Sequence, residues 1–169
     1  MESEPQSASS KLLAQQTTNN TTSWVGHMND SKEITTGQTF IANADGDVKT
    51  IQVFSNIVSR PGHVTMTIHS FDPQQKQWGS TLQSTNIEVK KSDTGKWVTF
   101  TVPAVHVDKG KIYGFKLESH DCYMGVGEAA GSSKNPPFNE GQEWRFVNNN
   151  AKVDSFSYFS LAFKVGLTG

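Results

Sequence analysis

Alternation with period two runs through most of this chain after residue 36, and it constrains the fold more than any other feature. In HVTMTIHSF, residues 63–71, Val64, Met66 and Ile68 fall on one side and Thr65, Thr67 and His69 on the other. KWVTFTVP sets Val98, Phe100 and Val102 against Trp97 and Thr99, and KIYGFKLES sets Tyr113, Phe115 and Leu117 on one face. Successive side chains of a strand point to opposite faces, so this pattern predicts half-buried β-strands. Turn signals separate them: Ala44-Asp45-Gly46-Asp47, Arg60-Pro61-Gly62, Ser92-Asp93-Thr94-Gly95 and Asp108-Lys109-Gly110. The Asp-Gly pair predicts a hairpin joining strand 37–43 to strand 48–58. No amphipathic helix longer than two turns is legible. Eight or nine short antiparallel strands at such spacing predict an all-β sandwich or jelly roll.

At 169 residues, with ten Phe, four Trp and three Tyr, the chain suits one domain with a sizeable core. The first 22 residues are mostly Ser, Thr, Gln and Asn around Leu12, Leu13 and Ala14, too little apolar surface to offset the entropy of ordering. They are expected to form a flexible arm (1–22) ahead of a domain at 23–169, and a chain starting at Ser23 is expected to fold. A formal net charge of −1 argues against a partner held through phosphates, so nucleic acid is excluded as the expected ligand. No run approaches the roughly 20 apolar residues of a membrane span. Cys122 is the single cysteine, which leaves no intramolecular disulfide and no cysteine-based zinc site.

Between two alternating segments lies CYMGVGEAAGSSKNPPFNEGQEWRF, residues 122–146, a strand that gives way to a long Gly/Pro/Asn loop and then to an aromatic strand. Long loops on a rigid β scaffold are where binding residues concentrate. Sugar rings offer an apolar C–H face to aromatic rings, and their hydroxyls require planar polar partners. Both kinds gather here, so the expected ligand-binding set is Trp144, Arg145, Tyr123, Phe138, Asp121 and Glu143, with Trp78 as a second aromatic contact. Trp97 is expected to be structural. Because adjacent strand residues face opposite ways, Trp144 and Arg145 share a ligand only if the backbone bends there.

Nothing assembles a catalytic group at a recognisable spacing: there is no Gly-x-Ser-x-Gly elbow, no His-Glu-x-x-His, no P-loop and no dinucleotide fingerprint. The expectation is a protein without catalytic residues, without a catalytic metal and without a cofactor. Asn43, Asp45 and Asp47 begin like a calcium loop, yet Val48 replaces the required Gly and Phe54 the bidentate Glu. A turn explains them, with structural calcium as the minor reading.

The order GQTFIANADGDVKTIQVF, VTMTIHSFD, GKWVTFTVPAVHVDKGKIYGFKL, YMGVG, NPPFNEG and FSYFSLAFKV, over residues 36–166, resembles the β-sandwich accessory domains of bacterial secreted and surface proteins, which are similar to carbohydrate-binding modules. The resemblance implies a glycan or polysaccharide partner and an extracellular or cell-surface location. The chain departs from that pattern with Phe138 where the family commonly has Tyr, and with Lys164 and Val165 in the closing strand. The leading expectation is therefore a non-catalytic glycan-binding or adhesion module. The alternative is an assembly or receptor-binding component of a phage or virion surface.

Overall fold

The computed structural model describes residues 10–168, which form strands and turns with a single 3-10 turn at Lys91–Asp93. Thirteen strands follow in order: β1 (Ser10–Gln16), β2 (Thr21–Asn29), β3 (Lys32–Ile41), β4 (Gly46–Arg60), β5 (Gly62–Asp72), β6 (Gln77–Val89), β7 (Lys96–Val107), β8 (Ile112–Glu118), β9 (Tyr123–Ala130), β10 (Glu143–Val147), β11 (Lys152–Phe156), β12 (Phe159–Leu161) and β13 (Phe163–Thr168). Every pairing is antiparallel. The fold is an all-β antiparallel sandwich, richer in strands than the eight or nine expected.

The sheet forks at β3. One side of β3 pairs with β10, which carries β11. The other side pairs with β8 over Thr36–Ile41 and with β2 nearer its start. The first branch continues from β8 to β5 and β6, and the second from β2 to β9 and β4. β4 then holds β7 on one side and β13 on the other, with β1 beyond β13.

The two branches close on each other over the faces that the alternation predicts. Val64, Met66, Ile68, Phe115 and Leu117 of the first branch are buried, as are Ile51, Val53, Phe100, Val126 and Val165 of the second. Phe163 of β13 meets Phe40 of β3 at 6.2 Å and Phe115 of β8 at 5.7 Å between ring centroids, so the core is sealed across the sandwich.

Two expectations are corrected here. The Asp-Gly turn does not close a hairpin: β3 pairs with β8, β10 and β2, and β4 with β7, β13 and β9. The turn is instead a crossover between branches, with Asp45 Oδ1 accepting the Lys109 N–H at 2.7 Å. The flexible arm is also wrong for residues 10–22; residues 1–9 lie outside the described residues. β1 completes the edge beside β13, and Leu13 and Ala14 are both buried next to a register shift. The amides that suggested disorder replace backbone partners. Gln16 Nε2 donates to the Leu161 carbonyl at 3.1 Å, and Asn20 Oδ1 accepts the Ala130 N–H at 2.9 Å. Such bonds satisfy strand ends that would otherwise need water.

Candidate functional site

β10 decides the fate of most expected ligand residues, because its alternation sends Trp144 and Phe146 to one face and Glu143 and Arg145 to the other. Trp144 is only 8% exposed. It lies with Phe71, Trp78 and Phe146 in an aromatic cap on the outer face of the first branch, at centroid distances of 5.7, 6.0 and 6.2 Å. The cap fits because the strands beneath it carry Gly37 and Gly114. A Cβ on Gly114 would stand 2.5 Å from Cζ3 of Trp78, far inside van der Waals contact. The Lys116 ammonium sits over Trp78 and Phe146 at 5.0 and 4.4 Å, and burial pushes its pKa down. Neither indole N–H of Trp78 and Trp144 finds an acceptor among the described residues, so ring packing holds the cap. The structure thus brings Trp144 and Trp78 together, but as packed wall rather than as an open platform for a sugar.

Glu143 is corrected outright: it is fully buried on the inner side of β10. It faces Glu128, 2% exposed, whose Oε1 accepts a bond from Thr21. Burial first, and the neighbouring Glu128 second, push the Glu143 carboxyl up to about 10, so it stays protonated at neutral pH. Phe138 is half-buried, its ring packed edge-on against Phe163 at 5.3 Å at the margin of the core. Asp121 caps a turn: Oδ1 accepts the His63 N–H at 2.9 Å and the Ser119 hydroxyl at 3.1 Å. The bond from the His63 N–H is the main reason its pKa lies below the usual carboxylate value. Trp97, expected in the packing, is half-exposed on the outside of the second branch, edge-on to Phe54 and under the Lys164 ammonium at 4.3 Å.

Tyr123 and Arg145 do come together, with a partner the sequence reading did not assign to the site. Trp24 of β2 stacks on Tyr123 of β9 at 4.7 Å and 14°. With Arg145, Lys32, Met28, Thr22 and Ile34 they line a cleft of about 220 Å³.

A larger groove opens where the long loop returns to the first branch. It encloses about 270 Å³ between Phe71 of β5, Pro73 and Lys76 of the β5–β6 turn, Thr39 and Ile41 of β3, and Asn139 to Gln142 of the loop. A second cavity of about 440 Å³ continues it past Phe71, Pro73 and Ile112 towards His106 and Lys111. The loop is fixed there by backbone. Thr39 N–H donates to the Gln142 carbonyl at 3.0 Å, and Gln142 N–H donates to Thr39 Oγ1 at 2.9 Å. Gly141 allows this approach, since a Cβ would lie 1.9 Å from the Thr39 oxygen. The sequence reading found the loop but missed its opposite wall. Phe71 reads as the end of a strand and Asp72 onward as a polar loop, and nothing local says which loop they face.

Among the described residues no group of three or more His, Cys, Asp or Glu is placed to hold a metal ion. Asp45 and Asp47 are engaged separately, Asp45 by the Lys109 amide and Asp47 by His106 at 3.1 Å. Cys122 is buried, and desolvation pushes its thiol up to about 11.

No family model matches the sequence, and no curated protein is detectably similar to it in sequence. Similarity appears among solved structures. A clostridial cysteine protease, Cwp84, after propeptide cleavage, superposes with a TM-score of 0.62 at 9% identity, covering 96% of this chain and 41% of that one. The cysteine protease and lectin-like domains of Cwp84, a surface layer associated protein of Clostridium difficile, give 0.51 at 8% identity over 83% of this chain and 37% of that one. A family 35 carbohydrate binding module from an environmental isolate aligns with a TM-score of 0.35 at 10% identity, over 89% of this chain and 90% of that one. The chain therefore spans well under half of the two Cwp84 chains it superposes on, and at such identities the likeness shows a shared β-sandwich fold.

Proposed function

We propose that this protein is a non-catalytic glycan-binding module of a secreted or surface protein, and that it binds through the groove between Phe71 and the long loop. The observation that carries the reading is the juxtaposition in that groove of an aromatic ring with Lys76, Asn139, Glu140 and Gln142. A pyranose presents an apolar face and a rim of hydroxyls, and this is the lining that complements both. The loop backbone is tied to β3 at Gln142, which restrains the end of the loop before a ligand arrives and lowers the entropy cost of ordering it. The fold shared with Cwp84, whose structure includes lectin-like domains, agrees with this reading.

Asn139 and Glu140 are exposed, so replacing both with Ala leaves the fold intact. The double variant is expected to bind an immobilised neutral polysaccharide at least ~10-fold more weakly at an unchanged melting temperature, on the scale of lost hydrogen bonds. A glycan array identifies the polysaccharide first. Full affinity in the double variant, with loss in Trp97→Ala, would move the site to the outer face of the second branch.

A further inference from the structure

We infer that the cleft between Trp24, Tyr123 and Arg145 is a second saccharide subsite, one that takes a pyranose bearing an oxyanion, with the Arg145 guanidinium as the anion's partner. The inference rests on the glycan-binding reading above but uses different residues. Arg145 is half-buried, with its guanidinium carbon 5.2 Å from the centre of the Phe156 ring. Among the described residues it makes no ion pair and donates no side-chain hydrogen bond.

None of the described carboxylates near it forms an ion pair with it. Asp154, its cross-strand neighbour, is half-exposed and sits 3.9 Å from Lys152 Nζ, and burial pushes the carboxyl of Glu143, on its own strand, towards the neutral form. Glu33, one strand away, accepts from His27 and His120. Lys32 lines the same cleft as a second cation. The cleft is thus cationic at one wall and aromatic at the other.

A neutral ring seated there would strip water from a guanidinium and offer only hydroxyls in return, an unfavourable exchange. A carboxylate or sulfate ester accepts two parallel N–H bonds from the planar fork and restores what desolvation removes. At about 220 Å³ the space is below the ~300–1,000 Å³ of pockets that enclose drug-sized ligands, and suits a single ring with its neighbours extending outward.

The test measures binding of the whole chain to polygalacturonate, dextran sulfate and uncharged dextran at fixed moderate salt. Polygalacturonate and dextran sulfate separate a carboxylate from a sulfate as the anion. The expected result is tighter binding to at least one anionic polymer than to dextran, by about 10-fold or more. Arg145→Gln removes about 10- to 150-fold of that affinity, as expected for charged hydrogen bonds. Arg145→Lys, which keeps the charge but not the fork, retains part of it, and Lys49→Gln, which removes an exposed charge on β4, changes it little. Equal affinity for all three polymers, no binding to either anionic polymer, or equal losses in Arg145→Gln and Lys49→Gln would each overturn the inference. Binding of acidic polymers through Arg145 by a chain that ignores every neutral glycan would sink the groove reading alone. Neutral binding lost only in Asn139→Ala/Glu140→Ala, with no anion preference, would sink the subsite alone.

Discussion

Glu143 shows how a single residue changes meaning once its surroundings are known. Beside a Gly/Asn loop it reads as a sugar ligand, yet period-two placement on β10 turns it inward against Glu128. Its folded pKa, about 10, lies above the ordinary carboxylate value, so the unfolded chain releases a proton that the folded chain keeps. Stability from this group is full below about pH 4.5, falls as pH rises, and levels off above about pH 10. Glu143→Gln keeps the shape and cannot ionise. Chemical denaturation at pH 5, 7 and 9 is expected to show a smaller loss of stability with rising pH in the variant than in the parent, with the variant ahead at pH 9. Parallel pH profiles would mean that Glu143 ionises freely in the folded state.

At the scale of elements, β1 carries the clearest reversal. The sequence shows a polar segment with one short apolar cluster, but Leu13 is 1% exposed and Gln16 bonds across to β12. The strand exists because β13 offers an open edge lined with Phe163, Val165 and Leu167, which the local composition of residues 10–16 does not reveal. Leu13→Ala is expected to destabilise the domain by about 2–5 kcal/mol, the usual range for emptying a buried leucine site. A chain starting at Ser23 lacks β1 and the first two residues of β2, and its melting temperature should fall well below that of the full chain. An unchanged melting temperature would show that β13 does not need its partner. Loop 131–142 makes the complementary point. Its length was readable, whereas its anchorage on Thr39 depends on a contact between residues 103 apart.

For the whole molecule, the closure of two sheet branches sets both stability and site geometry. Phe163 is the residue on which the branches meet: its ring faces Phe40, Phe115 and Phe138, the last belonging to the long loop. Phe163→Ala is expected to cost about 3–5 kcal/mol in equilibrium denaturation. It should also loosen residues 131–142, seen as faster amide exchange there than in β9, because Phe138 loses its support. Uniformly faster exchange across the sandwich, with no excess in the loop, would show that Phe138 does not depend on Phe163.

The strands and their buried faces were determined by the sequence itself. Val64, Met66 and Ile68, or Tyr113, Phe115 and Leu117, alternate strictly, and a one-residue slip would turn each set to solvent. The all-β class followed from that, and so did the presence of a long loop rich in sugar-compatible groups. Pairing partners were not readable. Asp45-Gly46 looks like any tight hairpin turn, and it becomes a crossover because β10 on one edge of β3 and β8 with β2 on the other leave no edge for β4. The candidate site was split for the same reason. Neighbours in sequence such as Trp144 and Arg145 part to opposite faces of a strand, while Trp24, Tyr123 and Arg145 meet only because three strands converge. Alternation is a local property that each strand carries in its own residues; convergence belongs to contacts between residues far apart in the chain, and those exist only once the branches have closed.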